Sequence, residues 1–296
     1  MATAAALLLL ALSVPSPAAP VLRPPLPVMA PRAAAHVSDA AFPSAESLFG
    51  ESADPLDSLV ADGEDLHDAV ADVTATGALQ AGLRSPSVLQ RLSAIRAAAV
   101  PRGVSAVPYL SAAMLRYDEP ARIRAAAALA LGRIDDRVAV SALAAALNDP
   151  APEVRYASAL SLGRLPADGV ATRLGRVLQR DPVWQVRYAA AIALGRTHKS
   201  FVSEDLAAAL ENDPAWQIRQ QAARSLQDIP SPRSAQALTS ALRDPEPSVR
   251  AAAGSALAEI GGPVQRRAVA DALRDERDPS VRAVLAVAAR RALSRP

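Results

Sequence analysis

Cysteine is absent from this chain of 296 residues. Its absence excludes disulfide staples, thiolate metal sites and cysteine nucleophiles, and it leaves the redox state of the compartment unreadable. Aromatic residues make up only 3%. Strands of a β-sandwich draw on Val, Ile, Thr and aromatics, so this scarcity beside abundant alanine points to closely packed helices and an all-α class. Lysine occurs once, at Lys199, and histidine only as His36, His67 and His198. His198 sits in the loop "RTHKS", where a solvated or loosely hydrogen-bonded ring is expected because no second metal ligand is in view. No HExxH, GxSxG or phosphate-loop pattern occurs, so no catalytic residue, metal ligand or cofactor site is assigned. What the chain does have is apolar material, 51% of its residues, enough for a sizeable core.

Charge divides the chain into three. Residues 1–38 hold Arg23 and Arg32 and no acid, residues 39–79 hold ten acids and no Lys or Arg, and residues 80–296 hold 30 basic and 20 acidic residues. The near-neutral total of +2 conceals this asymmetry. The apolar run "AAALLLLALSV" has the length of a signal-peptide core, too short for a membrane span, and "SPA" ending at Ala18 supplies small residues for cleavage. With the basic, Pro-rich stretch after it, 1–38 reads as a targeting segment, to a plastid or to a secreted or periplasmic location. "AAFP" (40–43) faintly resembles the phenylalanine motif of proteins sent to algal plastids of secondary origin. Residues 39–79 read as an acidic linker, partly helical, with two alternatives open, a disordered segment or one docked on the basic remainder.

Residues 80–296 repeat. "DPAPEVRYASALSLGRL", "DPVWQVRYAAAIALGRT", "DPAWQIRQQAARSLQDI" and "DPEPSVRAAAGSALAEI" share Asp-Pro, then Val or Ile, then Arg, flanked by the looser "DEPARIRAAAALALGRI" and "DPSVRAVLAVAARRAL". The aligned arginines are Arg124, Arg155, Arg187, Arg219, Arg250 and Arg282. A period of about 32 residues is that of stacked helical hairpins. Within one period "VAVSALAAALN" is apolar at helical spacing. Asp149 is then expected to cap the next helix, Pro150 to open it, and Gly163 to end it, with the same punctuation at Asp181, Pro182 and Gly195. Each hairpin has more apolar faces than one helix pair covers, so the hairpins must stack. "SPSVLQRLSAIRAAAV" (85–100) reads as a degraded first repeat, and the arginines of "VAARRALSRP" suit a terminal cap.

The motif D-P-x-x-x-V-R-x-A-A-x-x-L-G over about residues 85–294 resembles the HEAT-like repeat associated with phycobilisome lyases. The resemblance implies a right-handed α-solenoid of about six to seven hairpins. Members of that group include phycobilin lyase subunits, bilin-handling chaperones, iron hydroxylases of deoxyhypusine and many scaffolds without a reaction. The hydroxylases hold two metals through repeated His-Glu pairs, and here the matching helix position carries "RY", "RQ" or "RA", which removes that activity.

Two constellations remain. Asp149, Asp181, Asp213 and Asp244 with Arg155, Arg187, Arg219 and Arg250 are read as a structural ladder joining adjacent repeats in preference to an anion site. Arg133, Arg164 and Arg196 each follow a glycine, where a cation meets the free carbonyls of a helix end. The second constellation is aromatic. Trp184, Arg187 and Tyr188 fall on one helix face, with Tyr156 equivalent one repeat earlier and Trp216, Arg219 and Gln220 one repeat later. This set is the candidate binding patch, the alternative being that each tryptophan packs on the preceding repeat. The expected function is a non-enzymatic scaffold or assembly factor with a protein partner in its concave groove. The alternatives are a bilin lyase or chaperone meeting a bilin-carrying protein, and nucleic-acid binding as in HEAT-like alkylpurine DNA glycosylases.

Overall fold

A computed structural model describes residues 68–99, 104–134, 136–165 and 169–294, all in one compact unit spanning 43–296. Residues 1–38, read from sequence as a targeting segment, and the stretch 39–67 lie outside the described residues. Among those described the fold is all-α, an α-solenoid of fourteen helices in seven hairpins. The hairpins are α1 (Asp68–Leu83) with α2 (Val88–Ala98), α3 (Val107–Leu115) with α4 (Ala121–Ile134), α5 (Arg137–Ala146) with α6 (Pro152–Leu162), and α7 (Val170–Arg180) with α8 (Trp184–Arg196). They continue as α9 (Ser203–Asn212) with α10 (Trp216–Gln227), α11 (Pro232–Ala241) with α12 (Pro247–Ile260), and α13 (Pro263–Asp275) with α14 (Pro279–Ser294). Odd-numbered helices form an A layer and even-numbered ones a B layer. The array begins at Asp68, inside the stretch read as linker, because α1 packs on α2 as a first hairpin.

Small residues set the stacking. Ala157, Ala159, Ala189, Ala190, Ala191 and Ala193 are all buried, and consecutive B helices pack more closely than most consecutive A helices. A stack with one tighter layer curves toward that layer. Gly163 ends its helix as expected, as the C-cap after Leu162, but glycine has a further task here. Gly163 follows α6 with a helical φ of −69°, while Gly132 and Gly195 lie inside α4 and α8. None ends its helix by turning left-handed. A Cβ at Gly163 would stand 2.6 Å from Ala193 Cα, and one at Gly195 would stand 2.7 Å from Ser225 Cβ. These glycines let the next B helix approach. Ser161 and Ser225 use that proximity, donating their hydroxyls to Ala128 O and Ala191 O of the preceding B helix at 2.8 and 3.0 Å.

The aspartates also differ from expectation. The N-cap of α6 is Ala151 and its first residue Pro152, so Asp149 and Pro150 stand before the helix. Asp149 Oδ1 accepts the Ala151 N–H at 2.8 Å, and Asp181, Asp213 and Asp244 do the same to Val183, Ala215 and Glu246. Each carboxylate closes an Asx turn that leads the chain into the B helix. It lies outside the helix because its other task is sideways, toward the preceding hairpin. The expected cap does occur at Asp278, which accepts from Ser280 N and Val281 N with Pro279 opening α14.

Candidate functional site

The Asx turns place one acid per hairpin beside the arginine of the hairpin before it. Arg155 Nε and Nη2 donate to Asp181 at 2.7 and 3.0 Å, and its Nη1 donates to Asp149 O at 2.8 Å. Arg187 holds Asp213 at 2.7 and 2.9 Å, Arg219 holds Asp244 at 2.8 and 3.0 Å, and Arg124 holds Asp149 at 3.0 and 2.8 Å. Arg250 takes Glu276, not Asp278, at 2.7 and 2.9 Å. That hydrogen bond holds the Glu276 carboxyl below the usual range. A further rung escaped the sequence reading: Arg91 Nε lies 3.1 Å from Glu119 Oε2, and Arg91 Nη1 donates to Ser85 O. Its signal was the spacing from Ser85 to Arg91, the same six residues that separate Asp149 from Arg155. In the best-buried rung the side chains of Arg124 and Asp149 are 6% and 2% exposed.

This geometry removes Arg187 and Arg219 from the candidate binding patch. Every nitrogen of both guanidinium groups already donates, to an acid ahead and a carbonyl behind. Arg133 is likewise spent, but on the preceding repeat: its Nε donates to Ala99 O, at the end of α2, at 3.1 Å. The capping expected at its own helix end is thus a tie between hairpins.

The aromatic residues are unequal. Tyr156 is buried at 6% exposure, which takes it out of the patch, and Gln220 Nε2 donates to Ser248 O at 3.5 Å. Trp184, the first residue of α8, and Tyr188 are half-buried, and Trp216, the first residue of α10, is 40% exposed. The accessible part is therefore Trp184, Tyr188 and Trp216, on the B layer. His198 is exposed, with a left-handed φ of 50° just past α8.

In the A layer, Arg233 of α11 donates to Glu211 at 2.6 and 2.7 Å and to Glu204 at 3.1 Å, tying α11 to α9. That bond lowers the Glu211 pKa. Asp205 behaves oppositely: burial against α7 raises its pKa, although it accepts a hydrogen bond from Gln179. Among the described residues no three His, Asp or Glu side chains converge to hold a metal, and no helix is long and apolar enough to cross a membrane.

The sequence model for HEAT repeats matches residues 107–195 and 203–290. None of the curated proteins matches the chain. Among solved structures, human deoxyhypusine hydroxylase is 21% identical over 81% of this chain and 95% of its own, with a TM-score of 0.39. The complex of CpcE and CpcF of phycocyanin lyase from Nostoc sp. PCC7120 is 22% identical over 79% and 97%, with a TM-score of 0.45. Escherichia coli YibA is 17% identical over 80% and 100%, with a TM-score of 0.49.

Proposed function

This chain belongs to the HEAT-repeat family, and from that premise we propose that it is a non-enzymatic protein-binding scaffold or assembly factor that engages its partner on the B layer. The observation that carries the reading is the row of accessible aromatics at the starts of neighbouring B helices, Trp184 with Tyr188 and then Trp216. Large amphipathic rings held on rigid helices lose little side-chain entropy on binding and concentrate interface energy. The ladder arginines beside them order the scaffold and leave recognition to the rings. The partner presents an apolar or aromatic surface.

A second reading, handling of a bilin or of a bilin-carrying protein, draws on the resemblance to phycobilisome-lyase repeats and on the same rings, which suit stacking against a tetrapyrrole. One experiment separates the two. The full chain and its Trp184→Ala/Trp216→Ala variant are used to capture partners from native extract, and the eluate is read for protein and for visible absorbance. Loss of a captured protein in the variant, with helicity unchanged, supports the scaffold; co-eluting bilin absorbance lost in the variant supports the second reading. Capture that is unchanged by the double substitution rejects both.

A further inference from the structure

The starts of α8 and α10 carry rings, and their ends carry cations. Arg196 closes α8, Arg224 lies in the last turn of α10, and both are exposed. Neither helix contains an acid. Asp228, just past α10, partly offsets the two arginines, and Glu204 near the start of α9 is held by Arg233. Side by side, the two helices therefore present an aromatic band and a basic band on the B layer, about 12–18 Å apart at the rise of an α-helix.

The chain just before α1 has the opposite charge. Residues 43–67 contain seven acids and no Lys or Arg. The acids bracket two apolar clusters: Leu48 and Phe49 lie between Glu46 and Glu51, and Leu56, Leu59 and Val60 between Asp54 and Asp62. This segment joins the array at Asp68. Because the helices of a hairpin run antiparallel, the start of α1 lies on the edge of the array where the B helices end, which is the edge of Arg196 and Arg224. The helices α8 and α10 stand three and four hairpins away, about 30–40 Å at the usual helix spacing. From residue 67 back to Phe49 is 18 residues, up to about 60 Å of extended chain. The segment is long enough, enters on the basic edge and passes the arginines before it reaches the rings.

We propose that residues 43–67 dock on α8 and α10 in the free chain, with Leu48 and Phe49 against Trp184 and Trp216 and the flanking acids against Arg196 and Arg224. The proposal rests on the reading of the rings as a recognition surface and adds its regulation: a partner gains the rings by displacing the segment. The tether selects this occupant. A segment tied to the same molecule meets the face at an effective concentration in the millimolar range, which a free anion of equal charge does not reach. Its apolar clusters also suit the rings, which bare charge does not.

The chain has no cysteine and only two tryptophans, Trp184 and Trp216, so one label reads the contact. The full chain carrying Ser52→Cys is labelled there with a dansyl acceptor, and energy transfer from the tryptophans is measured. Transfer should be efficient and independent of protein concentration. Leu48→Ser/Phe49→Ser should lower it by about threefold or more, and Arg196→Gln/Arg224→Gln by a smaller factor, with helicity unchanged. Inefficient transfer in the parent, transfer that rises with protein concentration and so reports a second copy, or transfer left unchanged by Leu48→Ser/Phe49→Ser would each overturn the proposal. Partner capture that still depends on Trp184 and Trp216 after such a result leaves the scaffold reading in place, so the two fail separately.

Discussion

At the scale of single residues, the ladder divides charges that hold the fold from those that only decorate it. Asp181 is 6% exposed and shared by Arg155 and its own turn. Removing it strands a buried guanidinium, so Asp181→Ala should cost about 3–5 kcal/mol in urea unfolding. Asp271, 47% exposed with Arg274 and Arg267 nearby, should lose less than about 1 kcal/mol on the same change. Asp205 runs the other way. Burial raises its folded pKa above the unfolded value, so its charged form destabilises the fold above that pKa and the penalty fades as pH falls through it. Asp205→Asn keeps an acceptor for Gln179, and should raise the Tm at pH 7 with a gain that shrinks toward pH 4.

At the scale of helices, the sequence pattern located the elements better than it located their neighbours. Periodicity identified the hairpins and the arginine positions, because both repeat along the chain. It could not show that Asp149 turns sideways to Arg124, or that Gly163 exists for Ala193, because those partners lie about a repeat away in sequence. The acidic stretch was read as partly helical, but its charge did not show that Asp68–Leu83 packs against Val88–Ala98 as part of the array. The aromatic patch was half legible: helical spacing aligned Trp184 with Trp216 and Tyr156 with Tyr188, but it did not encode that packing buries Tyr156 while Trp216 stays 40% exposed. The glycine account is testable by contrast. Gly77→Ala, in α1 with open space around the added methyl, should stabilise by about 0.5–1 kcal/mol. Gly163→Ala should destabilise despite better helix propensity, because the methyl meets the backbone of α8.

At the scale of the whole array, each hairpin touches chiefly its neighbours, so stability is a sum of hairpin and interface terms. Damage should therefore stay local. Gly163→Val, at the interface between the third and fourth hairpins, should lower hydrogen-exchange protection most in α6 and α8 while α12 keeps its own. Acid sensitivity should be local too. Hydrogen bonds from Arg250 and Arg233 hold the Glu276 and Glu211 pKa values down, so their contribution is present above the unfolded value and is lost as pH falls through the folded ones. Exchange measured as pH is lowered from about 5 should rise in α9 and α11–α14, and Glu211→Gln/Glu276→Gln should remove that part of the pH dependence.

The central claim is that the repeated arginines bind the hairpins to one another and leave recognition to other groups. A double-mutant cycle on Arg187→Met and Asp213→Leu, followed by urea unfolding of the full chain, tests it most directly. The ladder predicts a coupling of about 2 kcal/mol or more, with the double variant more stable than the Asp213→Leu single one. A coupling near zero, with both single variants as stable as the parent but unable to capture the partner, would contradict it and make Arg187 a recognition residue.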